Sequence, residues 1–390
     1  MWFVERVAGG VVYITLLLVV CNGIFVSRPS SVRRWLVFYA FALAVLGFVY
    51  IPPETADLYR LTEYMHAWAS LTPSQLVERC AQSTTPVYIV YFWFIGQFDV
   101  DGLLPASSAL IYHLLVFSCL WDYARREGVS TRNVALALAV LMSFGSFLQV
   151  ISGIRSYLAF AIIVHCIYRE VVCGRPVVLS IPGYLLAALM HSAGLAFVAA
   201  RLLVMLFQRG SSPLQRLYSI LFVGGGVLFV ARYGMTYVDS MLDHAAGYLT
   251  HEVYSYVWEY LIHGVLVVVL VATYRRAKLW APEVTGARNL LLISGILCAV
   301  SVVSAPFEYS IFLRFTGAAA NLAAPLVMTC LEREDAVAGA LSKTSARVRV
   351  RHRLGKGGQS YHRLLLAASA IMLFLACARG DLCGYKFMVL

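Results

Sequence analysis

The chain has 390 residues, of which 61% are hydrophobic and only 13% charged, with a net charge of +11. A soluble domain carries about 25% charged residues, so the composition excludes a soluble enzyme, and the unbroken apolar runs exclude a β-barrel, whose strands alternate apolar and polar positions. The positive charge sits in short loops between those runs, which argues against nucleic-acid binding and follows the positive-inside pattern of helical membrane proteins.

The expected fold is all-α, a polytopic integral membrane protein with about 10–13 transmembrane or re-entrant helices. Clear spans are expected at 11–26, 35–51, 104–121, 134–151, 154–172, 214–231, 258–274, 290–305, 311–331 and 364–378. The first is read as a retained span, because Ser27-Arg28-Pro29 follows it with no small-residue cleavage pattern. Residues 86–98 are too short to cross, and 179–207 are too long for one crossing and carry His191-Ser192 at their middle. Placing loops 27–34, 123–133, 169–178, 208–216, 275–288 and 332–363 in the cytoplasm puts most of the 31 Lys and Arg on one side. With that orientation 86–98 is a re-entrant or surface helix, and 179–207 is a hairpin of two short helices with His191 at its outer tip. The expected organisation is one membrane domain over 1–331 with outer loops 52–85 and 233–257. A basic cytoplasmic loop follows over 332–363, then a last span and short outer tail over 364–390. The basic loop suits anionic inner-leaflet lipid.

The nine cysteines form no CxxC pair and no His/Cys metal spacing, and the chain holds no nucleotide-binding or HExxH motif. No cofactor and no metal are expected; Asp99-Val100-Asp101 is the one DxD spacing weighed, and it lies in a short turn. Chemistry is instead expected on the outer face. Asp57, Tyr59, Arg60, Glu63 and Tyr64 lie in the first outer loop, Tyr88 follows, and Arg155 stands between two apolar runs. His191, Glu308 and Arg314 complete the set. An arginine at membrane depth costs about 2.5–3.5 kcal/mol on insertion scales and marks a candidate functional site. Aromatic rings stack on sugars, carboxylates take hydroxyls, and arginines take phosphate or pyrophosphate. Tyrosines at span ends also serve as interfacial belts, and an arginine there also serves as a snorkelling anchor.

The order of these pieces resembles the EpsG family of exopolysaccharide polymerases, which are Wzy-like. The resemblance is carried by Asp57-x-Tyr59 with Tyr64, by Thr85-Pro86-Val87-Tyr88, by Gly153-x-Arg155-x-x-Leu158-Ala159, by His191-Ser192-Ala193 and by a late Arg314. It runs from about residue 50 to 330; Ser156 and the basic 332–363 loop depart from it. It implies a GT-C-like polymerase in the plasma (inner) membrane with an extracytoplasmic active site. Such an enzyme joins polyprenyl-pyrophosphate-linked repeat units, with chain-length regulator and flippase proteins as partners. Arg155 and Arg314 would then clamp the donor pyrophosphate, and His191, Asp57 or Glu63 would accept the proton of the attacking hydroxyl. Arg60, Tyr59, Tyr64, Tyr88 and Glu308 would bind substrate. A lipid-linked oligosaccharide translocase and a membrane glycan acyltransferase are the competing readings.

Overall fold

The computed structural model describes residues 2–52, 54, 56–145, 147–207, 253–280, 286–306, 309–343, 361–374 and 386–387, with single positions 217, 220 and 224. The expected span 214–231 is otherwise outside the described residues, as are the outer loop 233–257 up to residue 252 and Glu308. Fifteen helices run through the described residues: α1 (Trp2–Val26), α2 (Val32–Phe48), α3 (Asp57–Ala69), α4 (Pro73–Ala81), α5 (Pro86–Gly96), α6 (Leu103–Glu127), α7 (Thr131–Phe144), α8 (Phe147–Ser152), α9 (Ile154–Val171), α10 (Ile181–Met190), α11 (Gly194–Phe207), α12 (Val253–Trp280), α13 (Ala287–Ser304), α14 (Tyr309–Lys343) and α15 (Tyr361–Phe374). Five helical segments are long and apolar enough to cross a membrane: Pro29–Phe48, Leu103–Glu127, Tyr260–Trp280, Ala287–Ser304 and Ile311–Val337. The protein is an all-α polytopic membrane protein. Helices dominate because a spanning segment must satisfy its backbone groups internally.

The helices give the bundle two ends. At one, α2 runs into β1 (Tyr50–Ile51), which pairs antiparallel with β2 (Lys386–Phe387). At the other, the end of α1 meets the start of α7, where Thr131 Oγ1 donates to the Phe25 carbonyl at 3.2 Å. Tyr361 at the start of α15 hydrogen-bonds Thr273 of α12 there, so the chain crosses the bundle between 361 and β2. The turns around 28–31, 128–130, 172–180 and 286 gather with the basic residues at this second end, called the basic end. The loops around 52–56, 97–102 and 191–193 lie at the first, with β1.

Helices α10 and α11 form a hairpin. Tyr184 near the start of α10 and Arg201 near the end of α11 both bond Glu170 of α9, at 2.7 and 2.9 Å. His191, between the two helices, instead faces Phe160, nearly three turns back toward the start of α9. Both legs therefore run alongside α9, and His191 is their tip.

Two expectations about helix bounds are corrected. The run 134–151 is not one span: α7 stops at Phe144 because Gly145 leaves helical backbone at ψ 110°, and α8 is a separate short helix. Such breaks at membrane depth are tolerated where the segment lines a protein-enclosed space. The segment 332–363 does not begin as a loop, because α14 continues to Lys343. Its extension is held by Glu332, whose Oε2 accepts from Ser130 N, Ser130 Oγ and Asn133 Nδ2, each at 2.9 Å. That carboxylate supplies the N-terminal cap of α7 that Ser130's own side chain does not.

Small residues set how α14 sits. In lipid, helices associate through close packing and interhelical hydrogen bonds rather than hydrophobic exclusion. Ser294 and Ser301 of α13 donate to the backbone carbonyls of Ala319 and Phe312, both at 2.7 Å. Ser301 also bonds Thr316, and Ala319 and Ala323 are buried at the same face. Each such bond is worth about 0.6–1.7 kcal/mol. Together they fix the rotation of α14 and hence the direction of Arg314.

Candidate functional site

Arg155 lies in the first turn of α9. The break before it is set by Gly153, where a Cβ would come within 2.8 Å of the Gln149 carbonyl oxygen and 2.9 Å of the Tyr157 ring. Tyr157 donates to the Gln149 side-chain oxygen at 2.5 Å and ties α9 back onto α8. The Arg155 guanidinium rests over the Tyr88 ring, its carbon 4.9 Å from the centroid. A cation–π contact of this kind is worth about 0.5–2 kcal/mol and carries no counter-charge.

Tyr88 belongs to an aromatic ladder. Tyr64 stacks on Trp68 with centroids 5.6 Å apart and planes at 9°, and Trp68 meets Tyr88 at 5.3 Å. The ladder begins at exposed Tyr64 and ends under Arg155. Trp68 is the member that the sequence reading missed. Its signal was the i, i+4 spacing from Tyr64 on an amphipathic helix.

His191 and Arg314 approach Arg155 from two other elements. Burial, then the charge of Arg314, then that of Arg155 lower the His191 imidazole from its ordinary 6.5 to about 4. Phe160, Phe197 and Phe315 form a ring cluster against His191: Phe160 lies 6.4 Å from His191, and Phe197 stacks on Phe315 at 4.7 Å. Among the described residues, neither Arg155 nor Arg314 forms an ion pair. The starts of α9 and α11 both adjoin the cluster, and a helix N-terminus favours negative charge.

Other predicted residues lie apart from this centre. Asp57 opens α3, where a carboxylate is favoured by the helix dipole, and accepts from Arg60 at 2.5 Å on the exposed surface. Tyr59 and Glu63 are exposed on the same helix. α3 packs on α5 and touches α8, so it stands beside the Arg155 site. Among the described contacts none joins Asp57, Tyr59, Arg60 or Glu63 to Arg155, His191 or Arg314. Asp101 is bonded to His66 at 2.6 Å, with Asp99 in left-handed backbone at φ 52°. Among the described residues no group of three His, Cys, Asp or Glu side chains is placed to hold a metal ion.

A narrow cavity lies deeper in the bundle, between α6, α8, α9, α12 and α14. Its polar lining includes Tyr112, Gln149, Tyr157, His263 and Asn321, and Leu313 next to Arg314 forms part of its wall. Asn321 donates to the Tyr112 hydroxyl at 2.8 Å. Asn321 is two helical turns along α14 from Arg314.

At the basic end several arginines meet carboxylates. Asp122 accepts from Arg126 at 2.6 Å, from Tyr168 at 3.0 Å and from Arg125 at 3.2 Å. Arg201 of α11 is bonded to Glu170 with both side chains buried. His113 and His165 serve packing, bonding the Ala109 carbonyl at 2.7 Å and Ser118 at 3.1 Å.

Compared with family models, curated proteins and solved structures, the chain matches none of them.

Proposed function

We propose that this protein is a polysaccharide polymerase of the plasma (inner) membrane, with a GT-C-like architecture and an extracytoplasmic active site. It joins polyprenyl-pyrophosphate-linked oligosaccharide repeat units during exopolysaccharide or capsule synthesis. The observation that carries the proposal is the ring cluster that links α9, the His191 tip and α14, Phe160 meeting both His191 and Phe315, so that the charges of Arg314 and Arg155 both reach the His191 ring. Two cations that form no ion pair among the described residues, beside two helix N-termini, suit a diphosphate. The aromatic ladder from Tyr64 to Tyr88 gives a path for sugar rings beside it.

The hydroxyl of the incoming repeat unit attacks the anomeric carbon of the donor glycan. The bond from that carbon to the pyrophosphate oxygen breaks, and its electron pair leaves with the carrier diphosphate. Arg155 and Arg314 stabilise the charge that develops there; preorganised donors in a site shielded from water are often the largest catalytic term. The hydroxyl proton passes to a carboxylate of the outer segments, Asp57 first and Glu63 second. No metal or cofactor is needed, because the arginines supply the positive charge. Chain-length regulator and flippase proteins are the expected partners.

The test is reconstitution. Purified protein in lipid receives an undecaprenyl-pyrophosphate-linked repeat unit alone. Chain lengthening with release of carrier pyrophosphate, lost in Arg155→Ala, supports the proposal. Transbilayer movement of intact lipid-linked oligosaccharide without lengthening overturns it in favour of a translocase.

A further inference from the structure

His191 sits in extended backbone between α10 and α11, at φ −157° and ψ 124°. Its N–H donates to the Ala187 carbonyl and its own carbonyl accepts from the Gly194 N–H, both at 2.9 Å. These two bonds close the hairpin tip and fix the side chain's root. The Ala193 backbone N–H then donates to Nδ1 of the His191 ring at 3.1 Å. A peptide N–H is a donor only, so Nδ1 must offer its lone pair. A neutral imidazole with its lone pair on Nδ1 carries its proton on Nε2. A second proton on Nδ1 would break this bond and add a third positive charge beside Arg155 and Arg314.

The free ring nitrogen is therefore an N–H donor, on a ring that feels the charges of both Arg314 and Arg155. We propose that His191 is a neutral hydrogen-bond donor to the same diphosphate group that Arg155 and Arg314 take, and does not act as the base for the acceptor hydroxyl. The inference rests on the polymerase reading for the identity of the diphosphate, but the tautomer stands on the hairpin geometry alone. The chemistry is economical. A diphosphate has more oxygens than two arginines satisfy, and an uncharged donor adds a contact without adding to the repulsion between the two cations. It also narrows the search for the base to the outer carboxylates.

Two measurements test this without relying on chain lengthening. The first is long-range proton–nitrogen correlation on histidine-labelled protein in lipid nanodiscs, with His191 assigned by its loss in His191→Gln. The expected result is a neutral ring with the proton on Nε2 at pH 7, and a shift of that N–H on adding inorganic pyrophosphate. A proton on Nδ1, or an imidazolium at pH 7, overturns the proposal. The second is inorganic pyrophosphate affinity. A hydrogen bond to a charged group is worth about 1.5–3 kcal/mol, so His191→Ala should weaken binding by about tenfold or more. His191→Gln, whose amide donates but does not serve as a base, should keep most of the affinity. Equal loss in both variants overturns the donor role. Pyrophosphate binding that needs His191 in a protein that does not lengthen glycans would sink the polymerase reading and leave the donor role intact.

Discussion

The two ends of the bundle treat arginine in opposite ways. At the basic end Arg201 is buried against Glu170, and Arg125 and Arg126 converge on the buried Asp122. At the other end the charges of Arg155 and Arg314 both bear on His191, Arg155 rests on the Tyr88 ring, and neither arginine meets a carboxylate among the described residues. The first arrangement pairs each of these arginines with a carboxylate. The second pairs neither arginine among the described residues. Burial of an arginine is therefore a weak sign of function, and a converging pair without a counter-ion is a stronger one.

The largest expected effect tests the closed end. Glu170→Ala leaves Arg201 buried without its partner and should cost about 3–5 kcal/mol, read as a lower unfolding temperature in detergent micelles. A shift as small as that of a surface variant would break the comparison. Arg155→Ala and Arg314→Ala should do the reverse. They should lower chain lengthening by about 100-fold or more, the scale for removing one preorganised donor, while the unfolding temperature stays near wild type. If either variant unfolds as easily as Glu170→Ala, that arginine belongs to the scaffold.

Gly153→Ala probes the link between the break and the site. Its Cβ would sit 2.8 Å from the Gln149 carbonyl oxygen, and forced overpacking costs about 1–3 kcal/mol. Stability and pyrophosphate affinity should fall together, because the clash displaces the first turn of α9. A pH series sharpens the role of His191. Its folded-state value of about 4 lies below the ordinary 6.5, so the unfolded chain takes up the proton first as pH falls. The contribution is fully present above pH 6.5 and is lost between 6.5 and 4. Wild type should lose unfolding temperature over that window by more than His191→Gln does. The smallest effect on stability belongs to Asp57→Asn, since an exposed ion pair contributes about 0.2–1 kcal/mol. A large stability loss there would mean that the pair with Arg60 holds α3 in place.

Much of the fold is legible because lipid imposes simple rules. Long apolar runs become helices, and loops 27–34, 123–133, 169–178 and 275–288 meet at one end as their charge implies. The hairpin at His191 follows from a run too long for one crossing and too short for two. The break at Gly145 was hidden, because nothing in an apolar run marks where a glycine leaves helical backbone. The extension of α14 was hidden too, because its charged residues look like a loop until Glu332 finds the start of α7.

Within the site, Arg155, His191 and Arg314 were chosen as expensive or isolated polar groups in apolar surroundings, and their sequence positions alone did not bring them together. Trp68 went unnoticed because an interfacial tryptophan is ordinary; its stacking between Tyr64 and Tyr88 gives it a place beside the site. Asp57 and Arg60 were set beside the site by motif order, yet they pair with each other at the exposed start of α3.

By itself the sequence determined the class of the protein, the direction of its charge asymmetry and the residue types worth testing. Those follow from transfer energies, which depend on composition along the chain. Only the tertiary structure decided which arginines meet a carboxylate among the described residues, and which nitrogen of His191 carries the proton. Counter-ions and hydrogen-bond partners come from distant segments: Glu170 lies 31 positions before Arg201, and Arg314 follows Arg155 by more than a hundred. Pairing energies depend on distances in space, and packing alone sets those.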